Sequence, residues 1–334
     1  MLSDSKIAIL GGGSWATALA KIILNNTKNI NWWVRRQETA EHLLNFGHNP
    51  NYISSIEFDQ SKLNVSTNLK ETINNSDVLF LVIPSAFLHT EFVNAKITAE
   101  DLKDKIIVSA IKGIIPEFTL IPAAYLNDQF RVEYNNMAIV AGPCHAEEVA
   151  HERLSYLTIA TPTRGRAHAI GDLLKCRYIN VNRNDDLVGT EYSAIMKNVY
   201  SIAAGICFGI GYGDNFMAVL ISNAIRETEQ FVDCVYPKHR DVKTSAYLGD
   251  LLVTAYSQYS RNRTFGNMIG KGYSVKFAKL EMKMVAEGYY ASKCVNDIQN
   301  KFELNLPIAD AVYQCLYEGK NPKKTFKAIQ SLLK

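Results

Sequence analysis

The stretch that decides the fold is Lys6-Ile7-Ala8-Ile9-Leu10-Gly11-Gly12-Gly13-Ser14-Trp15-Ala16, close to the start of the chain. The apolar run at 6–10 predicts a buried strand, and residues 17–24 follow with the pattern of a helix. Between them lies G-x-G-x-x-A, in which Gly11 permits a tight turn and Gly13 lets backbone N–H groups approach a pyrophosphate. Ala16 lets the helix pack close to the strand, and the helix N-terminus favours an anion. The stretch predicts a dinucleotide site, and the alternative is a glycine-rich turn without a ligand.

Apolar runs separated by helical spacers continue from this turn to about residue 186. Such alternation indicates a mainly parallel sheet with helices on both faces, in which ligands bind beyond the carboxyl ends of the strands. We therefore predict an α/β domain over residues 1–186. Its seven further strand candidates lie at 31–34, 63–65, 77–83, 105–109, 137–141, 155–160 and 177–181.

The remainder of the chain has helical periodicity and no strand signal. Long apolar helices are expected at 190–208 and from 214 to about 236. Pro307 and Pro322 stand where first-turn prolines belong, and Gly319 stands where a helix would end. We predict an all-helical second domain over residues 187–334.

The bulk composition describes an ordinary globular protein. Of its 334 residues, 47% are hydrophobic and 21% are charged, and the net charge of +3 is too small to argue for a nucleic-acid partner. The six cysteines are too widely separated for a local metal or redox motif, so we expect free thiols, no metal and a reducing compartment. We expect neither a signal peptide nor membrane insertion, and we predict a cytoplasmic location.

Arg35 and Arg36 directly follow the second strand candidate. A fold of this kind that prefers NAD usually has an acidic residue there for the ribose 2′-hydroxyl, whereas arginines favour a 2′-phosphate. The pair predicts a preference for NADPH, with NADH as the second cofactor. The alternative is a solvated basic pair at a strand end.

Lys197 is the anomaly of the helical half because it lies inside an apolar helix. Ala194, Ser201 and Gly205 fall on its face, and small residues there leave room for a ligand. A desolvated lysine has a lowered pKa and can exchange a proton near neutral pH. The alternative is a lysine that reaches solvent from the edge of the helix.

The segment at 257–263 predicts an anion site suited to a phosphate. Ser260 can cap a helix there, and Arg261, Asn262 and uncapped backbone N–H groups then point at one position. Asp250 supplies a carboxylate just upstream, and Lys112 follows a predicted strand at its carboxyl end. The alternative is a capped surface helix with exposed arginines.

The chain resembles the NAD(P)-dependent glycerol-3-phosphate dehydrogenases of bacterial type over nearly its whole length. The motifs that carry the resemblance occur in order: the segment 11–20, Lys112-Gly113, Gly142-Pro143 with Ala146-Glu147-Glu148, Lys197-Asn198, the segment 211–215, Gly249-Asp250-Leu251, the segment 260–266 and Glu287-Gly288. The resemblance implies an N-terminal Rossmann-like domain with a mainly parallel sheet. It also implies an all-α C-terminal domain like that of 6-phosphogluconate dehydrogenase.

The resemblance also implies the roles of individual residues. Lys197 would be the catalytic proton donor and acceptor, assisted by Lys112 and Asp250. The substrate would contact Lys112, Gly142, Cys144, Lys197, Asp250, Ser260, Arg261 and Asn262. The cofactor would contact Gly11, Gly13, Ser14, Trp15, Arg35, Arg36, Lys112, Ala146, Arg261, Val285 and Glu287. Cys144 stands where the family usually has Ser or Thr, and the segment 221–224 also departs from the family pattern.

The sequence therefore predicts an oxidoreductase that reduces dihydroxyacetone phosphate reversibly to sn-glycerol 3-phosphate and feeds glycerophospholipid synthesis. Two alternatives stay open at this point: another two-domain reductase acting on a hydroxy acid or sugar acid, and a non-catalytic NADP-binding sensor. The phosphate-suited segment 260–262 argues against an unphosphorylated substrate, and a sensor has no need of Lys197. By analogy, a homodimer is also open.

Overall fold

The computed structural model describes residues 2–282 and 286–334. The chain forms two compact units, one of Met1–Ile111 with Leu120–Leu187 and one of Lys112–Thr119 with Val188–Lys334. Residues 112–119 lie within the predicted first domain of residues 1–186, but this short segment packs with the helical unit. One contact that ties it there is the hydrogen bond from Asn198 Nδ2 to the backbone oxygen of Lys112, at 2.7 Å.

The first unit contains an eight-stranded sheet in the order β3-β2-β1-β4-β5-β6-β7-β8. Neighbouring strands are parallel except for β6 and β7, which run antiparallel. This is a Rossmann-like sheet, and each predicted strand is present in it. The strands are β1 (Ile7–Leu10), β2 (Ile30–Trp33), β3 (Leu63–Ser66), β4 (Val78–Leu81), β5 (Ile106–Ser109), β6 (Met137–Ala141), β7 (Ser155–Ala160) and β8 (Ile179–Asn184).

Helices connect the parallel strands and cover the sheet. The central strands β1 and β4 are wholly buried, because their continuous apolar sequences face helices on both sides. The helices of this unit are α1 (Ser14–Ile23), α2 (Gln37–Phe46), α3 (Leu69–Asn74), α4 (Ser85–Asn94), α5 (Ala99–Leu102), α6 (Pro122–Phe130), α7 (Ala146–Ala150) and α8 (Arg164–Leu174).

Chain order reverses between β1 and β4, which are neighbours in the sheet although two strands separate them in sequence. In open α/β sheets the carboxyl ends of two such strands splay apart and form the ligand crevice. The turn after β1 begins at Gly11, so the predicted dinucleotide motif lies at the position where this fold binds ligands.

Within the described residues of the second unit the regular elements are helices, as the sequence predicted. They are α9 (Leu187–Gly209), α10 (Asp214–Val235), α11 (Asp250–Tyr256), α12 (Arg261–Gly270), α13 (Val275–Glu281), α14 (Glu287–Lys301), α15 (Pro307–Tyr317) and α16 (Pro322–Ile329). A π-helical turn, Ser245–Gly249, leads directly into α11. Such turns are rare and frequently mark functional sites.

Helices α9 and α12 touch backbone to backbone. A Cβ atom on Gly205 would lie 2.1 Å from the backbone oxygen of Arg263, and one on Gly266 would lie 2.1 Å from that of Ile202. Gly209 and Gly270, one turn further along each helix, are similarly enclosed, at 2.6 Å and 2.4 Å from backbone oxygens. These four glycines, which we call the glycine seam, fix the distance between α9 and α12.

A buried carboxylate joins three helices of the same unit. Glu227 on α10 accepts hydrogen bonds from the backbone N–H groups of Ile308 and Ala309, at 2.8 and 3.2 Å, in the first turn of α15. It also accepts one from Tyr200 on α9, at 3.0 Å. Glu227 therefore satisfies two N–H groups at a helix start that have no partner within the helix.

Candidate functional site

The turn of residues 11–13, called the glycine turn below, requires glycine at its first position. Gly11 has φ +140°, and a Cβ atom there would lie 2.6 Å from the backbone oxygen of Val82, just beyond β4. At Gly13 a Cβ atom would meet nothing within 4 Å, so the space beside this residue is open. Gly13 is also the N-cap of α1 and supplies no side-chain hydrogen bond to the helix. The first N–H groups of α1 therefore remain donors for an anion.

Two side chains hold the carbonyl groups of the glycine turn. Trp32 Nε1 on β2 donates to the oxygen of Gly11 at 2.7 Å, and Asn49 Nδ2 donates to the oxygen of Gly12 at 3.0 Å. Asn49 is fully buried and also donates to Thr17 on α1, at 3.0 Å. Sequence reasoning missed Asn49. Its only sequence signal is an Asn-Pro-Asn turn, which does not indicate what its side chain contacts.

Three further residues predicted to contact the cofactor begin helices of the first unit. Ser14 and Trp15 form the first turn of α1, and Ala146 is the first residue of α7. Trp15 Nε1 is buried without a hydrogen-bond partner in the described part of the chain. A helix start with uncapped amides, an open glycine and an unsatisfied indole donor fits the pyrophosphate of a dinucleotide.

The arginines predicted to bind the 2′-phosphate follow β2, and both are exposed. Arg35 Nη1 lies 3.3 Å from Glu91 Oε1, and its guanidinium carbon lies 5.8 Å from the ring centroid of Phe87. Arg36 is the N-cap residue of α2. Sequence reasoning placed the arginines at this strand end but did not detect the acidic partner, which comes from α4.

The Gly142-Pro143 turn lies at the end of β6, also in the first unit. Gly142 has φ +114°, and a Cβ atom there would lie 2.7 Å from the backbone oxygen of Tyr156, so the position requires glycine. The thiol of Cys144 donates to the same oxygen at 3.3 Å. This cysteine therefore already gives its proton to the backbone, which limits it to a weak contact with a substrate.

In the second unit, Lys112, Lys197 and Asp250 form what we call the lysine cluster. Asp250 Oδ1 accepts a hydrogen bond from Lys197 Nζ, and Asp250 Oδ2 lies 3.3 Å from Lys112 Nζ. Lys197 is 5% exposed and Asp250 is 1% exposed. Two lysine amino groups thus share one carboxylate, with Lys197 buried and Lys112 partly exposed.

The cluster shifts the pKa values of its members. Burial lowers the pKa of Lys197 to about 7, an effect that Asp250 opposes and the charge of Lys112 reinforces. Burial alone would raise the pKa of Asp250, but the charges of Lys112 and Lys197 outweigh it and lower that pKa. Lys197 is therefore suited to give up a proton near neutral pH while Asp250 stays ionised.

The elements around the cluster fix its geometry. Asn198, the residue after Lys197 on α9, holds the backbone of Lys112 through the bond described above. The start of α14 packs against the same helix, since a Cβ atom on Gly288 would lie 2.6 Å from the oxygen of Asn198. Asp250 is held at the junction of the π-helical turn and α11. Its pairing with Lys197 joins residues 53 positions apart.

The predicted phosphate site at the start of α12 is capped and anchored. Ser260 is the N-cap residue and accepts from the N–H of Arg263 at 3.2 Å. Its hydroxyl also lies 2.8 Å from that of Ser201 on α9, which donates to the oxygen of Thr254 at 2.8 Å. Because the hydroxyl proton of Ser201 is used in that bond, Ser260 donates to Ser201. Ser260 thus caps α12 and bonds that helix to α9. Its hydroxyl proton is therefore not available to a phosphate.

Asn262 is oriented by the start of another helix. Its Oδ1 accepts from the N–H of Gly288 at 2.9 Å, so its Nδ2 hydrogens are the donors suited to an anion. Arg261 is the first residue of α12 and is exposed. Lys197 and Ser201 are four residues apart on α9, so the same face of one helix carries Lys197 and the hydrogen-bond partner of Ser260.

Two further residues predicted to contact the cofactor are Val285 and Glu287. Glu287 is the first residue of α14. Val285 lies outside the described residues. Within the described parts of the chain, no group of three or more His, Cys, Asp or Glu side chains could hold a metal ion. None of the helices described there is long and apolar enough to span a bilayer.

The first unit carries a Rossmann-like sheet with a turn suited to a pyrophosphate, and the helical unit carries a buried lysine of lowered pKa and a helix start suited to an anion. Together they define a nicotinamide-dependent dehydrogenase that acts on an anionic substrate. Family models agree with this class. The model for the N-terminus of NAD-dependent glycerol-3-phosphate dehydrogenase matches residues 6–167, and that for the C-terminus matches residues 186–327. The chain belongs to the NAD-dependent glycerol-3-phosphate dehydrogenase family.

Curated relatives match over nearly the full length. A glycerol-3-phosphate dehydrogenase (NAD(P)+) 2 of Salinibacter ruber is 34% identical over 321 residues, covering 96% of this chain and 92% of the relative. A glycerol-3-phosphate dehydrogenase (NAD(P)+) of Streptococcus agalactiae is 32% identical, covering 99% and 97%.

Solved structures show the same fold. A crystal structure of glycerol-3-phosphate dehydrogenase from Coxiella burnetii matches with a TM-score of 0.89 and 26% identity, covering 97% of this chain and 98% of that one. A ketopantoate reductase from Ralstonia eutropha matches with a TM-score of 0.61 and 13% identity, covering 96% and 99%. This second likeness shows the fold alone, so it does not favour a hydroxy-acid substrate.

Proposed function

We propose that this chain reduces dihydroxyacetone phosphate to sn-glycerol 3-phosphate, reversibly, with NADPH as the preferred cofactor and NADH as the second. The observation that carries the proposal is the lysine cluster, in which a buried ammonium of lowered pKa lies on the helix that also anchors the anion site. The product would feed glycerophospholipid synthesis. A sensor that binds a dinucleotide without turnover needs no such proton donor.

The proton chemistry is assigned to Lys197. As the carbonyl oxygen of the substrate gains negative charge, Lys197 Nζ donates a proton to it and is left as a neutral amine. Asp250 holds Nζ in place and stays ionised, while Lys112 places a second positive charge beside the developing alkoxide. Such proton transfer typically contributes about 10²–10⁴-fold to the rate. In the reverse direction the neutral amine accepts the proton.

The remaining residues bind and orient. Asn262, Arg261 and the first N–H groups of α12 would hold the phosphate, so that binding energy remote from the carbonyl positions it. Gly142 and Cys144 are retained as proposed substrate contacts. Ser260 is proposed to act through the cap it provides rather than through its hydroxyl proton.

The dinucleotide, when bound, supplies the hydride. Gly11, Gly13, Ser14 and Trp15 would hold its pyrophosphate, and Arg35 and Arg36 would hold the 2′-phosphate of NADPH. Five further residues are proposed as cofactor contacts: Lys112, Ala146, Arg261, Val285 and Glu287.

The experiment that tests this function follows the loss of reduced-nicotinamide absorbance when dihydroxyacetone phosphate is added, with NADPH and NADH in parallel. The panel includes unphosphorylated dihydroxyacetone and a set of 2-oxo acids. Among these substrates we expect turnover only of dihydroxyacetone phosphate. We expect its rate to be higher with NADPH than with NADH. Turnover with a 2-oxo acid instead would assign another reductase. Binding of NADPH without turnover of any substrate would assign a sensor.

The oligomeric state and the cellular location of the protein are also proposals. A homodimer is consistent with the helical second unit, and sedimentation equilibrium of the purified chain tests it. A cytoplasmic location is consistent with cysteines that are free in the structure, and cell fractionation tests it.

A further inference from the structure

The arginine assigned to the 2′-phosphate is paired with a carboxylate from another element. Arg35 follows β2, and Glu91 lies on α4, with 3.3 Å between Nη1 and Oε1. Phe87, four residues before Glu91, lies under the same guanidinium. Residues four apart on a helix share a face, so one face of α4 offers both a charge and a ring to Arg35.

The two partners differ in exposure. The side chain of Arg35 is 56% exposed, whereas that of Glu91 is 15% exposed. The carboxylate is therefore mostly shielded from water, and the arginine reaches it from solvent. An anion that binds Arg35 competes with this carboxylate.

We propose that Glu91 is a specificity-determining residue for the dinucleotide, whose carboxylate competes with a 2′-phosphate for Arg35 and so reduces the preference for NADPH over NADH. The inference rests on the role proposed for Arg35 above. NADPH carries a phosphate at the 2′ position and must replace the carboxylate partner, whereas NADH carries a hydroxyl there and need not. Arg36 keeps its positive charge, so NADPH is still preferred.

The expected size of the effect follows from the exposure of the pair. Exposed ion pairs typically contribute between about 0.2 and 1 kcal/mol, because water screens the charges. Loss of this ion pair should therefore tighten NADPH binding about 1.4- to five-fold. Glu91 thus adjusts the cofactor preference without reversing it.

The test measures equilibrium dissociation constants of NADPH and NADH for Glu91→Gln, by nicotinamide fluorescence in the absence of substrate. We expect the NADH/NADPH ratio of dissociation constants to rise about 1.4- to five-fold through tighter NADPH binding. The matched control is Glu100→Gln on α5, since Glu100 Oε1 also lies 3.3 Å from a basic partner, Lys103, at the surface. An unchanged or lowered ratio in Glu91→Gln, or an equal rise in the control, would overturn the proposal.

A double variant shows whether the effect of Glu91→Gln on the ratio of dissociation constants depends on Arg35. In Arg35→Gln, adding Glu91→Gln should change the ratio by less than it does in the wild-type chain. An equal change in both backgrounds would overturn the proposal. Failure of the proposed function gives a different result: the wild-type chain would bind neither dinucleotide, or Arg35→Gln would leave NADPH affinity unchanged. Thermal unfolding confirms that each variant is folded.

Discussion

The glycine turn of the first unit comes from one continuous stretch, whereas the lysine cluster of the second unit combines residues 112, 197 and 250. The turn offers backbone N–H groups to a ligand, and its carbonyl groups are held by Trp32 and Asn49. The lysine cluster buries the side chains of Lys197 and Asp250 and leaves that of Lys112 partly exposed. The turn is suited to an anion whose charge does not change, while the cluster is suited to a proton that must move.

The difference follows from the energetics of each kind of group. Backbone amides at a helix start are polar but uncharged, so water satisfies them until an anion replaces it, and no charge of the protein has to be buried. A buried ammonium is costly unless a carboxylate pairs with it, and that cost is what lowers the pKa of Lys197. A binding turn can therefore be local, whereas a proton donor needs partners from elsewhere in the fold.

The largest expected effect separates the two regions. Lys197→Met removes the proton donor and leaves the glycine turn unchanged, so turnover should fall by about 10²–10⁴-fold. The dissociation constant of NADPH should change by less than about two-fold. Steady-state kinetics and a fluorescence titration measure the two quantities. Turnover close to wild type would remove Lys197 from the mechanism, and lost NADPH binding would show that the regions are not separable.

The next effect tests whether the glycine seam supports the lysine cluster. Gly266→Ala places a Cβ atom against the backbone of α9, so α9 and α12 must move apart at a cost of about 1–3 kcal/mol. We expect a lower melting temperature and a higher KM for dihydroxyacetone phosphate. Gly165→Ala on α8 is the control, because a Cβ atom there meets nothing within 4 Å. Equal melting temperatures for the two variants would contradict the account.

The smallest effect tests the glycine turn by itself. Asn49→Ala removes the donors to Gly12 and Thr17, at about 0.5–1.5 kcal/mol per hydrogen bond, so the affinity for NADPH should fall about ten-fold. The kcat at saturating cofactor should stay near the wild-type value, because the lysine cluster is intact. Titration and steady-state kinetics check both quantities. A fall in kcat with unchanged affinity would contradict the separation of roles.

Much of the fold could be predicted from the sequence, because its signals are local. Continuous apolar runs identified β1 and β4, and Pro307 and Pro322 do begin α15 and α16. The residues of the site were named by motif, although the roles assigned to them stay predictions. Ser260 does cap α12, as its residue type suggested.

The rest depends on contacts between distant segments. The bond from Asn198 to Lys112 joins residues 86 positions apart, and no periodicity indicates that residues 112–119 pack with the helical unit. Asn49 and Glu91 likewise act on residues from other elements. The glycine seam did have a signal, since Gly205 with Gly209 and Gly266 with Gly270 have the G-x-x-x-G spacing of closely packed helices.

The most direct test of the central claim, that Lys197 is a proton donor adjusted by its neighbours, is the pH dependence of kcat/KM in both directions. Reduction needs the ammonium, so kcat/KM should fall as pH rises through about 7, and oxidation should rise over the same range. Lys112→Met removes the neighbouring positive charge, so the pKa of Lys197 should rise. The pH dependence of kcat/KM should then shift to higher pH in both reaction directions. If the pH dependence of kcat/KM in Lys112→Met is the same as in the wild-type chain, the account is contradicted.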